Sequence, residues 1–373
     1  MPSPPSLRLP RVTGVVLAAF MTLVATLPAW AQNDPDPAFG AAGPQLTFHG
    51  FSDVTFWAQR DRPDGGTDSS WNGFVMGQFD LYFVSRLGDN LSFLGETVFE
   101  FNEAGEGVVD VERVLMKYAY SDMASLSVGR MHTALGYWNE AYHHGRLLQP
   151  TVDRPEALKF EDDGGILPVH AVGLELSGRA GSGARGLNYV ANFANGRGPI
   201  PDEVQGGGDL NRLKAMGLKL TFVSDGSVQL QLGGAFYKDR IPADPFTPGL
   251  EGEIDEQIPG AHLYLLARDI MVIAEYFHVR HEDLGSGAVW DHDAGYAVAI
   301  RNSGRWRPYA GFDRVDHAED DLFYGDNNVD VSRAIAGTRI EFGSFNCVKI
   351  EYRHDWHPAE ESDALLVQTA FTF

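Results

Sequence analysis

The stretch LSFLGETVFEFN, Leu91 to Asn102, limits what this chain can fold into. Drawn as a strand, it puts Leu91, Phe93, Gly95, Thr97, Phe99 and Phe101 on one face, and Ser92, Glu96, Glu100 and Asn102 on the other. A period of two with one apolar and one polar face calls for a sheet lying between two media. The pattern recurs in SVQLQLGGAFY, where Val228, Leu230, Leu232 and Phe236 oppose Gln229, Gln231 and Tyr237. In VKIEYRHDW, Val348, Ile350 and Tyr352 oppose Lys349, Glu351 and Arg353. Such segments predict about 16 strands, near 45–59, 74–86, 91–102, 108–120, 124–131, 168–178, 185–196, 213–223, 226–238, 257–267, 269–281, 290–300, 305–316, 331–342, 345–355 and 364–373. Forty-two glycines and 12% aromatic residues suit an all-β chain with many turns.

Alternation also describes a buried sandwich, so the connections have to decide. LGDN, SDMAS, SDGS, Arg268-Asp269, NSG and Gly343-Ser344 are tight turns at one end. The long segments RDRPDGGTDSSWNG, NGRGPIPDEVQGGGDLN, DRIPADPFTPGLEGEIDEQ and HAEDDLFYGDNNVD fall at the other. This asymmetry predicts a transmembrane antiparallel up-and-down β-barrel, with short periplasmic turns, long extracellular loops and both termini inside.

The N-terminus agrees with export. Arg8 and Arg11 precede an apolar run from Val12 to about Leu27, and Ala29 and Ala31 flank Trp30 as a small-residue cleavage site. Residues 1–31 read as a signal peptide and 32–44 as a polar linker, with the barrel spanning 45–373. The shortness of the apolar run and Pro28 after it argue against an uncleaved anchor. Losing the two arginines takes the formal charge from -22 to -24, which argues against nucleic acid as a partner. Cys347 is the single cysteine, so no intramolecular disulfide is possible.

In the final LLVQTAFTF, Leu365, Val367, Phe371 and the terminal Phe373 share a face. Here the chain resembles the Gram-negative outer-membrane porins. That resemblance implies a Gram-negative outer membrane with its lipid and lipopolysaccharide, recognition of Phe373 by the barrel-assembly machinery, a homotrimer, and passage of small polar or anionic solutes. The stretch GRMHTALGYWNEAYHHG, Gly129 to Gly145, is similar to a loop of the phosphate-selective porin O and P group.

Residues of about 132–167 carry no strand pattern, and a loop that long is normally functional. By count it is the third long loop, which in sixteen-strand porins turns into the lumen. It is therefore expected to be a constriction loop, held by Tyr137, Trp138, Tyr142 and Phe160 packing inside the wall and stiffened by Pro150 and Pro155. Its candidate site residues are Tyr137, Trp138, Asn139, Glu140, His143, His144, Arg146, Asp153, Arg154 and Glu156. The other reading is a cap over the barrel or a subunit contact.

Strand parity predicts a pore lining of Asp80, Glu96, Glu100, Arg113 and Lys117, with a basic-rich stripe of Arg305, Arg307, Arg339, Lys349 and Arg353 among Glu341 and Glu351. The loop adds Glu140, Asp153, Glu156, Glu161, Asp162 and Asp163 against Arg146, Arg154 and Lys159. An acidic loop standing off from a basic wall would set a transverse field. A dedicated phosphate channel would instead present mainly cations, and here the chain departs from that pattern. Adjacent loop histidines such as His143 and His144 seldom converge on one ion, and no Cys or Glu-x-x-His spacing accompanies them, so no metal or other cofactor is expected. HAEDDLFYGDNNVD lacks EF-hand spacing. Two rival functions stay open: a closed barrel serving as a scaffold or adhesin, and an outer-membrane hydrolase, although no G-x-S-x-G elbow is present.

Overall fold

The computed structural model describes residues 45–373 apart from 102–106, 144, 182–184, 202–209, 245–246, 248, 251 and 326–329. The signal peptide, the linker and His144 lie outside the described residues. Sixteen strands run in chain order: β1 (Gln45–Pro63), β2 (Ser69–Arg86), β3 (Leu91–Phe101), β4 (Gly107–Ser121), β5 (Ala124–His132), β6 (His170–Ala180), β7 (Arg185–Ala194), β8 (Ala215–Asp225), β9 (Val228–Ile241), β10 (Ile254–Ala267), β11 (Ile270–Asp283), β12 (Val289–Arg301), β13 (Trp306–Asp316), β14 (Val331–Glu341), β15 (Asn346–His357) and β16 (Glu360–Thr372). Each pairs antiparallel with its chain neighbours, and β1 closes on β16 from Phe51 opposite Thr372 to Pro63 opposite Glu360. Closure leaves no unpaired edge, so every ladder group can be satisfied within the sheet.

Alternation sets the two faces as the sequence requires. Along β16, Leu365 and Phe371 are exposed while Ala364, Leu366, Gln368 and Ala370 are buried on the inner side. Exposed aromatics next to the periplasmic turns, Phe48, Tyr120, Trp306, Phe342, Phe345 and Phe373, form the girdle expected at a membrane boundary. The ring of Phe373 lies where a Cβ on Gly50 would sit and stacks on Phe79 with centroids 5.7 Å apart, covering the β16–β1–β2 seam.

Two features depart from the sequence reading. RDRPDGGTDSSWNG is mostly strand, because pairing continues to Asp61 opposite Ser69 and only 64–68 remains as a loop. Cross-strand contacts hold this extension, Trp57 against Trp71 at 5.8 Å and Arg60 to Asp68 at 2.6 Å. Polar residues there gave no alternation to read. At the same end only Pro358 and Ala359 separate β15 from β16, so the extracellular loops are not uniformly long.

The face assignment predicts a contrast one residue apart on β9. Leu232 is 53% exposed and points outward, whereas Gln231 borders an interior cavity. Leu232→Arg is expected to impair folding into bilayers by about 2–4 kcal/mol near the midplane. Gln231→Arg is expected to fold like the parent, and equal losses in a folding titration would refute the assignment.

Candidate functional site

β5 ends at His132 and β6 begins at His170, and the segment between them bonds to inward-facing side chains around the wall. Its first anchor is Gly136, whose φ of +70° suits glycine and where a Cβ would meet Glu275 Oε2 at 2.2 Å. That freedom lets the β11 carboxylate of Glu275 accept from the backbone N–H groups of Tyr137 (2.5 Å) and Trp138 (2.8 Å), and from the Tyr296 hydroxyl (2.6 Å). These are orphan donors at the start of a single helical turn, Trp138–Ala141. From β8, Lys219 donates to the Gly136 carbonyl at 2.9 Å and pairs with Glu140. Trp138 is buried and packs edge-on against Tyr296.

The middle of the segment is tied to the opposite wall. Asp80 on β2 accepts from the Gly145 N–H at 2.9 Å. Lys349 on β15, with no exposure at all, donates to the carbonyls of Arg146 (2.5 Å) and Thr151 (2.7 Å) and to Gln368 Oε1 (3.0 Å). Glu351 accepts from the Val152 N–H at 3.1 Å, the Tyr309 hydroxyl at 2.9 Å and Arg353 at 3.1 Å. Arg339 donates to the carbonyls of Leu147 (2.5 Å) and Gln149 (3.0 Å). Arg333 on β14 grips Asp355 with two bonds of 2.6 and 2.8 Å and pairs with Glu156, whose N–H reaches Asp313 on β13 at 3.3 Å.

Within the segment, Arg146 pairs with Asp153. Burial alone would raise the Asp153 carboxyl, but Arg146 and Arg353 outweigh it and hold the group well below the usual carboxylate range. A depressed carboxylate stabilises the fold above its unfolded pKa and loses that contribution only as pH falls through the folded value. The Arg146–Asp153 tether therefore stays ionised through mildly acidic media. Arg154 is buried, which lowers its guanidinium to about 10; it donates to the His143 and Leu158 carbonyls and lies 3.4 Å above the Phe160 ring.

Several expected roles change. Lys349, Glu351 and Arg353 do face inward, but they are 0%, 1% and 4% exposed and are occupied in holding the segment. The acidic and basic sides are paired, Arg333 with Glu156 and Arg353 with Asp153 at 4.0 Å, instead of standing off across water. Arg305 lies one residue outside β13, exposed, with its guanidinium 4.7 Å over the outward ring of Phe342, so it belongs to the periplasmic girdle. Arg307 pairs with Glu341 at 3.2 Å near the same rim. On the other wall Glu96 binds Arg113 at 2.5 Å and Gln78 donates to Glu100 at 2.5 Å. His143 stands apart from the sequence reading, because it meets His132 and His170 rather than a chain neighbour. Glu275, Lys219, Asp313 and Arg333 had not been singled out. Inward parity marks them: Glu275, for instance, falls between Ile273 and Phe277, both fully buried.

The segment fills the lumen unevenly. Toward β12–β15 lies a cavity of about 20 Å³ beside Trp138, Arg154, Asp313 and Arg353, room for one water. Toward β4–β10 a cavity of about 290 Å³ opens beneath Tyr137 and Glu140, bordered by Lys117, Ser125, Arg179, Asn188, Lys219, Thr221 and His262.

No protein-family model matches the chain, and no curated protein matches it in sequence. Solved structures do match. The anion-selective porin from Comamonas acidovorans aligns with a TM-score of 0.59 at 12% identity, over 88% of this chain and 100% of that one. OmpF of Salmonella typhi, in complex with daunomycin, aligns at 0.59 and 14% identity, over 90% and 99%. OmpT, an outer membrane protein of Vibrio cholerae, aligns at 0.53 and 12% identity, over 88% and 98%. The fold is that of the outer-membrane porin barrels. With its closed sheet, apolar exterior and aromatic girdle, the chain is a barrel of the Gram-negative outer membrane.

Proposed function

We propose that this barrel is a diffusion channel for small polar solutes, anions such as phosphate among them, and that the β5–β6 segment is its constriction. The observation that carries the reading is the asymmetry of the lumen. The segment packs closely against β12–β15 and leaves its polar cavity against β4–β10. Solutes would pass Lys117, Arg179 and Lys219 on that side, with Asp122 and Glu140 as the acidic partners. A narrow, partly desolvated passage strengthens the field of such groups. The anion-selective likeness and the trimer form of OmpT from Vibrio cholerae support an anion preference and a homotrimer here.

Planar-bilayer recording tests both parts. Discrete conductance steps are expected, and Lys117→Glu is expected to move the reversal potential in a salt gradient toward cations. The shift should shrink at 1 M salt, where the screening length falls to about 3 Å. Absence of steps would leave the closed-scaffold reading. A charge change without a shift in reversal potential would move the passage away from the β4–β10 wall.

A further inference from the structure

Where the segment leaves β5 and returns at β6, three buried histidines meet a buried glutamate. His132 ends β5, His170 begins β6, and His143 follows the helical turn; one nitrogen of each lies within 4.8 Å of the others. Glu112 comes from β4, where the register shift between Glu96 and Thr97 inserts an extra residue. That bulge lets the adjacent Glu112 and Arg113 both turn inward, Arg113 to Glu96 and Glu112 to the histidines. Glu112 Oε2 is 2.5 Å from His170 Nε2 and 3.5 Å from His143 Nε2, and the two Nε2 atoms are 3.0 Å apart. Around a tetrahedral zinc with bonds of about 2.0–2.1 Å, neighbouring ligand atoms stand ~3.3 Å apart, so these three atoms are already close to that spacing.

The hydrogen bonding also sets the tautomer. Asn139 Nδ2 donates to the Val169 carbonyl at 3.2 Å, so its Oδ1 faces His143 as an acceptor, 2.6 Å from Nδ1. The proton of neutral His143 is therefore on Nδ1, and Nε2 presents a lone pair toward His170 and Glu112. An acceptor that holds the N–H of the far nitrogen is how metal-binding histidines are oriented. The other histidine cluster contrasts with this one. His292 Nδ1 accepts from the Ala318 N–H at 3.1 Å, which turns a protonated Nε2 toward Asp321, so that group reads as a satisfied hydrogen-bond network.

We infer that Glu112, His143 and His170, with His132 as the fourth ligand, form a structural site for a divalent transition metal of the zinc type. The ion takes the place of the proton that His170 Nε2 shares with Glu112 and His143, and Nδ1 carries the proton of the bound ring instead, so His170 ligates as a neutral imidazole. The three imidazoles lie within 4.8 Å of one another and the Glu112 carboxylate meets two of them, a nitrogen and oxygen donor set suited to zinc. Such an ion would clasp the two ends and the interior of the segment to β4, in a chain whose single cysteine cannot form an internal cross-link. This assignment does not depend on the channel reading.

The test uses the full-length barrel folded in detergent, stripped with chelator and then offered zinc alone. About one zinc per chain is expected to survive gel filtration at neutral pH, with cobalt giving the visible absorption of a tetrahedral site. Asn139→Ala is expected to weaken zinc binding roughly 10–100-fold through loss of the tautomer-setting bond. His143→Ala with His170→Ala should abolish the bound ion, while His292→Ala should retain it. Wild-type protein that retains no zinc, or a double variant that retains as much as wild type, would overturn the site. The wild-type result decides even where a variant misfolds.

Discussion

Replacing Tyr142 through Phe160 with a short Gly-Ser linker is expected to raise single-channel conductance several-fold and to admit larger sugars. The removed stretch carries the groups that meet Asp80, Lys349, Glu351, Arg339, Arg333 and Asp313 from across the lumen, so its loss opens the side that it now occupies. The ladder bonds all lie within the sixteen strands and are untouched, so the barrel should still assemble. The wall charges left behind are not stranded in a dry interior, because pore water takes the place of the segment. Unchanged conductance and solute cut-off would place the restriction elsewhere and favour a capping role for the segment.

Arg333→Met is expected to produce the second large effect, and a local one. The guanidinium holds Asp355 with two bonds and Glu156 with a third contact, and all three side chains are at most 10% exposed. Removing the cation leaves Asp355 buried without its bidentate partner and Glu156 with Lys159 alone, and breaking a buried pair in this way typically costs about 3–5 kcal/mol. A closed barrel has a more accessible response than unfolding: Glu156 and its 3₁₀ turn, Glu156–Leu158, can let go of β13 and β14. Rapid proteolytic nicking near that turn, together with noisier single-channel current, is the expected readout. Arg314→Met serves as the control. Arg314 pairs with Asp316 on the outer face at 60% exposure, and such pairs contribute about 0–1 kcal/mol. Equal protease resistance in the two variants would show that Arg333 is not an anchor.

The barrel could be read from the sequence because lipid and water leave a period of two that survives in single strands such as Leu91 to Phe101. Strand ends were harder to read where polar residues continue above the membrane, as in Arg60–Pro63 and Ser69–Gly73. Parity puts Lys349 and Arg353 on the inner side but misplaces Arg305, and it cannot tell whether an inward cation meets water or a folded-in backbone, which is why Lys349 and Arg353 change role. The histidine cluster was unreadable for another reason. Its members come from positions 112, 132, 143 and 170, brought together by a bulge, two strand ends and a helical turn, and no short spacing encodes that meeting.

A closed sheet resists stretching along its strands but ovalises easily, because bending the wall only changes small twists between neighbours. The tethers from Asp80 on β2, Glu275 on β11, Asp313 on β13 and Lys349 on β15 all end on the same segment, and so cross the bore like spokes. Their joint effect is to fix the roundness of the tube against lateral pressure from the bilayer. Squeezing the membrane with thicker or more tightly packed lipids should therefore alter the shape and current of the segment-deleted barrel far more than those of the intact one.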